Sequence, residues 1–152
     1  MQARMTHPAF LVPEAMKSLR AYGATALKLG VPATTLELVY LRAGQINGCA
    51  VCVELHSNEL KKAGETDERI FAVASWRDAP YFTDAERAAL ALTEAVTRIA
   101  DRPESVSDEI WAEASRHYDE QGLAALLIAI SGINVWNRLN VATRQVTGGW
   151  KP

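Results

Sequence analysis

The run TDAERAALALTEAVTRIA, from Thr83 to Ala100, limits the possible folds of this chain more than any other stretch. Ala89, Leu92, Val96 and Ile99 fall on one face at helical spacing, and Thr83 with Glu86 has the spacing of a capping box that would start the helix. The same grammar governs the rest of the chain. Val12 to Leu29 sets Val12, Met16, Leu19, Tyr22 and Ala26 on one face and is stopped by Gly30 and Pro32. Thr34 and Glu37 have capping-box spacing for a second helix, which Asn47-Gly48 breaks.

A third helix is expected from about Cys49 to Gly64, with Lys61 and Lys62 suiting the negative end of its dipole. A short helix from Thr66 to Trp76 precedes the opening one. Ser107 is placed to cap a helix over Asp108 to Glu120, and Gly122 is expected to separate it from a last helix reaching about Val146. No alternating strand pattern of useful length occurs, and there is no long linker or repeat at a fixed period. The expected fold class is therefore all-α, a compact single-domain helical bundle over 1–152 with its core at about 12–146.

Charge and segment composition narrow the partners. A formal charge of −2 supplies no basic field for nucleic acid or an anionic membrane, and neither is expected as a partner. MQARMTHPAF lacks the apolar core of a signal peptide. The apolar run GLAALLIAISGIN is shorter than the roughly 20 residues a bilayer needs and reads as a buried or interface helix. The expected compartment is the cytoplasm, where structural disulfides are rare and close cysteines serve redox or metal chemistry more often than bracing.

Both cysteines lie in NGCAVCVELH, three residues apart. On a helix, Cys49, Cys52 and His56 stand at i, i+3 and i+7 and share a face. A free thiol of pKa near 8.5 is only about a few per cent thiolate at neutral pH, and the thiolate is the nucleophile. A helix start shifts it by less than about one unit, and a neighbouring imidazolium adds to that. These influences favour different sulfurs, since Cys49 is nearer the helix start and Cys52 nearer His56. Spacing leaves three readings open: a redox couple, part of a zinc site, or two small core residues. A redox couple has two possible uses, as an enzyme or as a non-enzymatic switch of binding or assembly. A structural zinc site wants four ligands, and His7 and His117 lie in unrelated contexts.

Other polar residues have simpler readings. Glu37 by spacing alone caps its helix. Glu54 points off the reactive face, and His117 is a packed or surface histidine. Asn134, Asn137 and Arg138 interrupt an apolar helix and have two readings: lining for the site or an interface, or, more simply, hydrogen-bonding groups at a helix surface. His7 falls in an N-terminal segment read as mobile. Trp76, Trp111, Trp136 and Trp150 read as core or interface aromatics. No Gly-rich phosphate loop or Gly-x-Ser-x-Gly elbow is present.

Glu37 stands twelve residues before a Cys-x-x-Cys-x-x-x-His, formed by Cys49, Cys52 and His56. With LRAGQINGCAVCVELH, PYFTDAERAALALTEA and INVWNRLNVATR, this pattern resembles the alkylhydroperoxidase D-like, or carboxymuconolactone decarboxylase-like, family over about residues 12–146. The resemblance implies an all-helical subunit of a homotrimer or homohexamer and a thiol-dependent peroxidase acting in antioxidant defence. Cys52 would be the peroxidatic nucleophile, Cys49 the proton donor and resolving thiol, and His56 with Glu37 the proton relay. The redox-active disulfide would replace any haem, flavin or metal, and a dithiol or lipoylated protein would reduce it. Decarboxylases of the family lack the cysteine pair, which sets this chain on the redox side. The chain departs at Val51, where the peroxidase branch has a second histidine, so the relay is one imidazole short.

Overall fold

A computed structural model describes residues 1–101 and 103–148, so Trp150 lies outside the described residues. Eight α-helices occur among them, and no strand. In chain order they are α1 Pro8–Leu11, α2 Pro13–Ala26, α3 Ala33–Asn47, α4 Ala50–Lys62, α5 Asp67–Ala72, α6 Asp84–Thr97, α7 Asp108–His117 and α8 Glu120–Thr143. A single 3₁₀ turn, Val73–Ser75, extends α5 toward Trp76.

The bundle is built around α3, which packs on α4, α6 and α8. Leu36, Leu38, Val39, Leu41 and Ala43 are all essentially inaccessible to solvent, as expected of a helix covered on nearly every side. Leu36 and Val39 join Leu92, Leu126 and Ile130 of α6 and α8 in one apolar cluster. Leu38 and Leu41 face a second, with Leu60, Val73, Trp76 and Leu90. A third and smaller cluster holds Ala43, Cys49, Val51, Cys52 and Ile133.

Several helix limits differ from the sequence expectation, each for a local reason. The capping box at Thr83 and Glu86 forms, and Glu86 also pairs with Arg69. Ser107 caps α7 as expected, but α7 stops at His117 because Tyr118 turns extended. Gly122 does not separate helices. Asp119 caps α8 by accepting the Gly122 N–H at 2.8 Å, which places the glycine inside the first turn. The first long helix is shorter at both ends than Val12 to Leu29, and α1 precedes it.

The expected capping box at Thr34 and Glu37 is absent. Pro32 occupies the N-cap of α3 without a side-chain bond, and Glu37 is engaged elsewhere. His7 is packed rather than mobile: it is 1% exposed, its Nδ1 accepts the Ala9 N–H to cap α1, and its ring stacks on Trp136. Burial lowers its pKa below the ordinary histidine value. Trp76 is buried as expected of a core aromatic, whereas Trp111 is exposed.

At 24 residues, α8 as a whole is long and apolar enough to cross a membrane by length and composition, although the apolar run within it is shorter than a span. Here it lies against α2, α3, α6 and α7, with Asn134, Asn137 and Asn140 buried along it.

Where α3 and α4 meet, Gly44 permits close approach. A Cβ there would lie 3.2 Å from Cys52 Cβ and 3.5 Å from Val53. Gly44→Ala is expected to cost about 1–2 kcal/mol by overpacking, read as a lower urea midpoint at unchanged slope. An unchanged midpoint would show that the contact relaxes freely.

Candidate active site

Gly48 ends α3 in the left-handed conformation, φ 66°, which glycine adopts without a Cβ penalty. The reversal brings Cys49 to the N-cap of α4, where its Sγ accepts the Cys52 N–H at 3.3 Å. Cys52 thus sits in the first turn, and both sulfurs lie at the positive end of the α4 dipole. The pair is joined as a disulfide, with Cα atoms 5.3 Å apart. Neither sulfur is therefore a thiolate ligand for zinc in this state. Among the described residues no cluster of three or more His, Cys, Asp or Glu is arranged to hold a metal ion.

The two cysteines differ in access. Both are nearly buried, but Cys52 lines a cavity of about 350 Å³ and Cys49 does not. The remaining wall is mostly apolar, supplied by Met16 and Leu19 of α2 and by Ile133 and Trp136 of α8. The polar side chains of Glu37, His56 and Asn140 share this cavity, and Arg20 of α2 stands on its wall.

Glu37 reaches from α3 to α4, where its Oε2 is 2.8 Å from His56 Nδ1. A carboxylate acceptor there holds the Nδ1 proton and leaves Nε2 as the nitrogen able to exchange one. Tyr40 packs its ring 4.9 Å from the imidazole. Burial, then the neighbouring Glu37 carboxylate, pushes the Tyr40 phenol up to about 12, so it stays neutral. All four residues singled out from the sequence thus lie in one region, Cys49 behind Cys52 and the Glu37–His56 pair beside it. Glu54 is exposed and accepts the Gly148 N–H, and His117 pairs with Glu113 at the surface.

The floor of the site follows the second-ranked reading of the sequence, in which Asn134 and Asn137 line the site. Asn134 and Asn137 are not helix-surface groups: they are 7% and 0% exposed. Asn137 Nδ2 donates to Cys52 Sγ at 3.0 Å, and Asn140 Nδ2 approaches the same sulfur at 3.5 Å. Asn47, from the Asn47-Gly48 break, donates to both Asn134 and Asn137. The available signal was the spacing of Asn134, Asn137 and Asn140, one polar residue per turn through an otherwise apolar helix. Asn140 Oδ1 is buried with no hydrogen-bond partner among the described residues.

The model of the carboxymuconolactone decarboxylase family matches residues 13–95. The uncharacterized protein YdfG of Bacillus subtilis is 35% identical over 132 residues, covering 87% of this chain and 88% of its own length. YnjA of Escherichia coli, also uncharacterized, is 33% identical over 105 residues; the match spans 69% of this chain and only 56% of YnjA. Among solved structures, Agrobacterium tumefaciens ATU0492, of unknown function and put forward as an antioxidant defence protein AhpD, superposes with a TM-score of 0.88. It is 32% identical, over 95% of this chain and 97% of its own. The debrominase Bmp8, solved in complex with 2,3,4-tribromopyrrole, shares the fold at a TM-score of 0.78 and 18% identity, covering 91% of this chain and 73% of Bmp8.

Proposed function

The chain belongs to the carboxymuconolactone decarboxylase family, and from that premise we propose that it is a thiol-dependent peroxidase cycling through the Cys49–Cys52 disulfide. The observation that carries this reading is the inequality of the two sulfurs. Cys52 lines an apolar cavity beside a carboxylate-braced histidine, while Cys49 lies behind it within bonding reach.

In the proposed cycle, His56 takes the Cys52 proton and the thiolate attacks the distal oxygen of a hydroperoxide. The O–O bond breaks and its electron pair leaves with the alkoxide. The alkoxide takes the proton from His56 and departs as an alcohol. Cys52 is left as a sulfenic acid, on which the Cys49 thiol displaces hydroxide to form the disulfide, and water leaves. An external dithiol, of the lipoyl type by the family resemblance, then exchanges with the disulfide and is itself oxidised. Glu37 keeps the imidazole oriented through its contact with Nδ1. The largely apolar wall suits an organic rather than an inorganic peroxide. The reading includes a homotrimer or homohexamer working in the cytoplasm, where a dithiol reductant is at hand.

Titration of the reduced protein with one equivalent of cumene hydroperoxide tests the reading. Both thiols are expected to disappear together, with an intact mass lower by two hydrogens and one cumyl alcohol formed. Survival of both thiols, under conditions that oxidise a known peroxidatic cysteine, would remove it. A redox-dependent change of sedimentation without turnover would favour a switch of assembly instead.

A further inference from the structure

We propose that Asn137, the closer of two carboxamide donors on Cys52 Sγ, makes the Cys52 thiol acidic, and that its donor face is fixed by a chain of oriented side chains running from Arg138 through Asn134 and Asn47. This rests on Cys52 as the reacting thiol of the cycle above, but it concerns the acidity of that sulfur whatever it attacks.

A carboxamide presents an oxygen on one side and an NH₂ on the other, and which faces a partner follows from what that partner can do. Arg138 Nη1 lies 3.1 Å from a carboxamide atom of Asn134 and 2.9 Å from its backbone carbonyl. A guanidinium has no acceptor, so that atom of Asn134 is Oδ1. The opposite atom lies 2.9 Å from the Ile130 carbonyl, which only accepts, and 3.1 Å from Thr97 Oγ1, so it is the NH₂. Asn134 is thus anchored twice, from opposite sides, with the same result.

Asn47 contacts that Oδ1 at 2.9 Å and must therefore present its NH₂. The same nitrogen is 2.7 Å from a carboxamide atom of Asn137, which must then be oxygen. Only the NH₂ of Asn137 is left to face Cys52 Sγ at 3.0 Å. Asn137 is completely buried, so water does not compete for this donor. A fixed N–H aimed at sulfur favours thiolate over thiol, because a hydrogen bond to the charged form is the stronger one. It supplies a donor to the thiolate in a chain that has valine at position 51. Asn47, Asn134 and Arg138 act only through Asn137 and are positioning residues. The other titratable groups on the Cys52 cavity are His56 of α4, Glu37 and Tyr40 of α3 and Arg20 of α2, and the variants below leave all of them in place.

The test measures the Cys52 pKa in a Cys49→Ser background, where serine preserves the N-cap, by thiolate absorbance and by alkylation rate against pH. Asn137→Leu is expected to raise the pKa by about one unit, about tenfold less thiolate at neutral pH. Asn47→Leu, which touches neither sulfur nor cavity, is expected to raise it by less, and to add nothing in the Asn137→Leu background. A folded Asn137→Leu protein with an unchanged pKa would overturn the proposal, as would an Asn47→Leu effect of equal size with and without Asn137. Should Asn137→Leu fail to fold, Asn137→Ala removes the same donor without adding a charge beside the sulfur. A raised pKa then supports the relay, and an unchanged or lowered one overturns it. No peroxide enters these measurements. The expected shifts in a protein that ignores hydroperoxides would support the relay and count against the peroxidase reading alone.

Discussion

Serine in place of Cys52 is expected to end hydroperoxide reduction, lowering the rate by about a thousandfold or more, the scale on which loss of a nucleophile acts. Serine in place of Cys49 is expected to leave the first attack nearly intact and to stop the cycle after it. The difference follows from position. Cys52 lines the cavity and has the Asn137 donor on its sulfur, whereas Cys49, as deeply buried, lines no part of that cavity and caps α4. Serine is itself among the best N-caps, so Cys49→Ser keeps the helix start while removing the partner that condenses with a sulfenic acid. The Cys49→Ser protein should hold a Cys52 sulfenic acid that dimedone labels after one equivalent of cumene hydroperoxide, and peptide mass mapping reads the site. Label on Cys49 in the Cys52→Ser protein, with none on Cys52 in the other, would exchange the roles. A single-turnover burst of alcohol from the Cys49→Ser protein shows its fold and nucleophile intact, and an unchanged urea midpoint shows the same of the Cys52→Ser fold.

The sequence exposed the helices and part of the site for one reason: both depend on contacts between near neighbours. Apolar residues at helical spacing, the Thr83 and Glu86 cap and the Asn47-Gly48 break are each complete within a few residues. The shared face of Cys52 and His56 is equally local. Glu37 marks the boundary of that legibility. Its spacing from Thr34 satisfies the capping rule, yet its carboxylate serves His56 on the next helix, a choice made by the packing of α3 on α4. The carboxamide floor was legible only as a spacing, without its partners. Asn47 meets Asn134 and Asn137 across separations of 87 and 90 residues, and a polar residue in an apolar helix looks the same whether it faces water or sulfur. His7 was misread for a similar reason, since its place against Trp136 is set by the far end of the chain.

Replacing Glu94 by glutamine is expected to destabilise the protein by about 3–5 kcal/mol at neutral pH, the range for breaking a buried ion pair by removing one partner. Glu94 is 8% exposed and binds two elements to α6. Its Oε1 accepts from Arg42 of α3 at 2.7–2.8 Å and from Trp76 Nε1 at 2.9 Å, and its Oε2 accepts from Arg77 at 2.7 Å. Burial alone would raise its pKa, but the hydrogen bonds from Trp76, Arg77 and Arg42 and the Arg42 charge outweigh it and hold the carboxyl down to about 2. The sign of the pH dependence follows by linkage. A carboxyl whose pKa is lower folded than unfolded binds more protons in the unfolded chain, so its stabilisation is complete above the ordinary value of about 4.5 and is lost as pH falls toward about 2. The shift corresponds to about 3 kcal/mol over that window. Other carboxylates titrate there too, but they do so equally in both proteins and cancel in the difference. Urea unfolding of wild type and Glu94→Gln between neutral pH and about pH 2 should therefore show a stability gap that is widest above about pH 5 and closes as the solution is acidified. A gap that stays constant across the window would mean that Glu94 holds α3 to α6 by shape and neutral hydrogen bonds, with its charge contributing nothing.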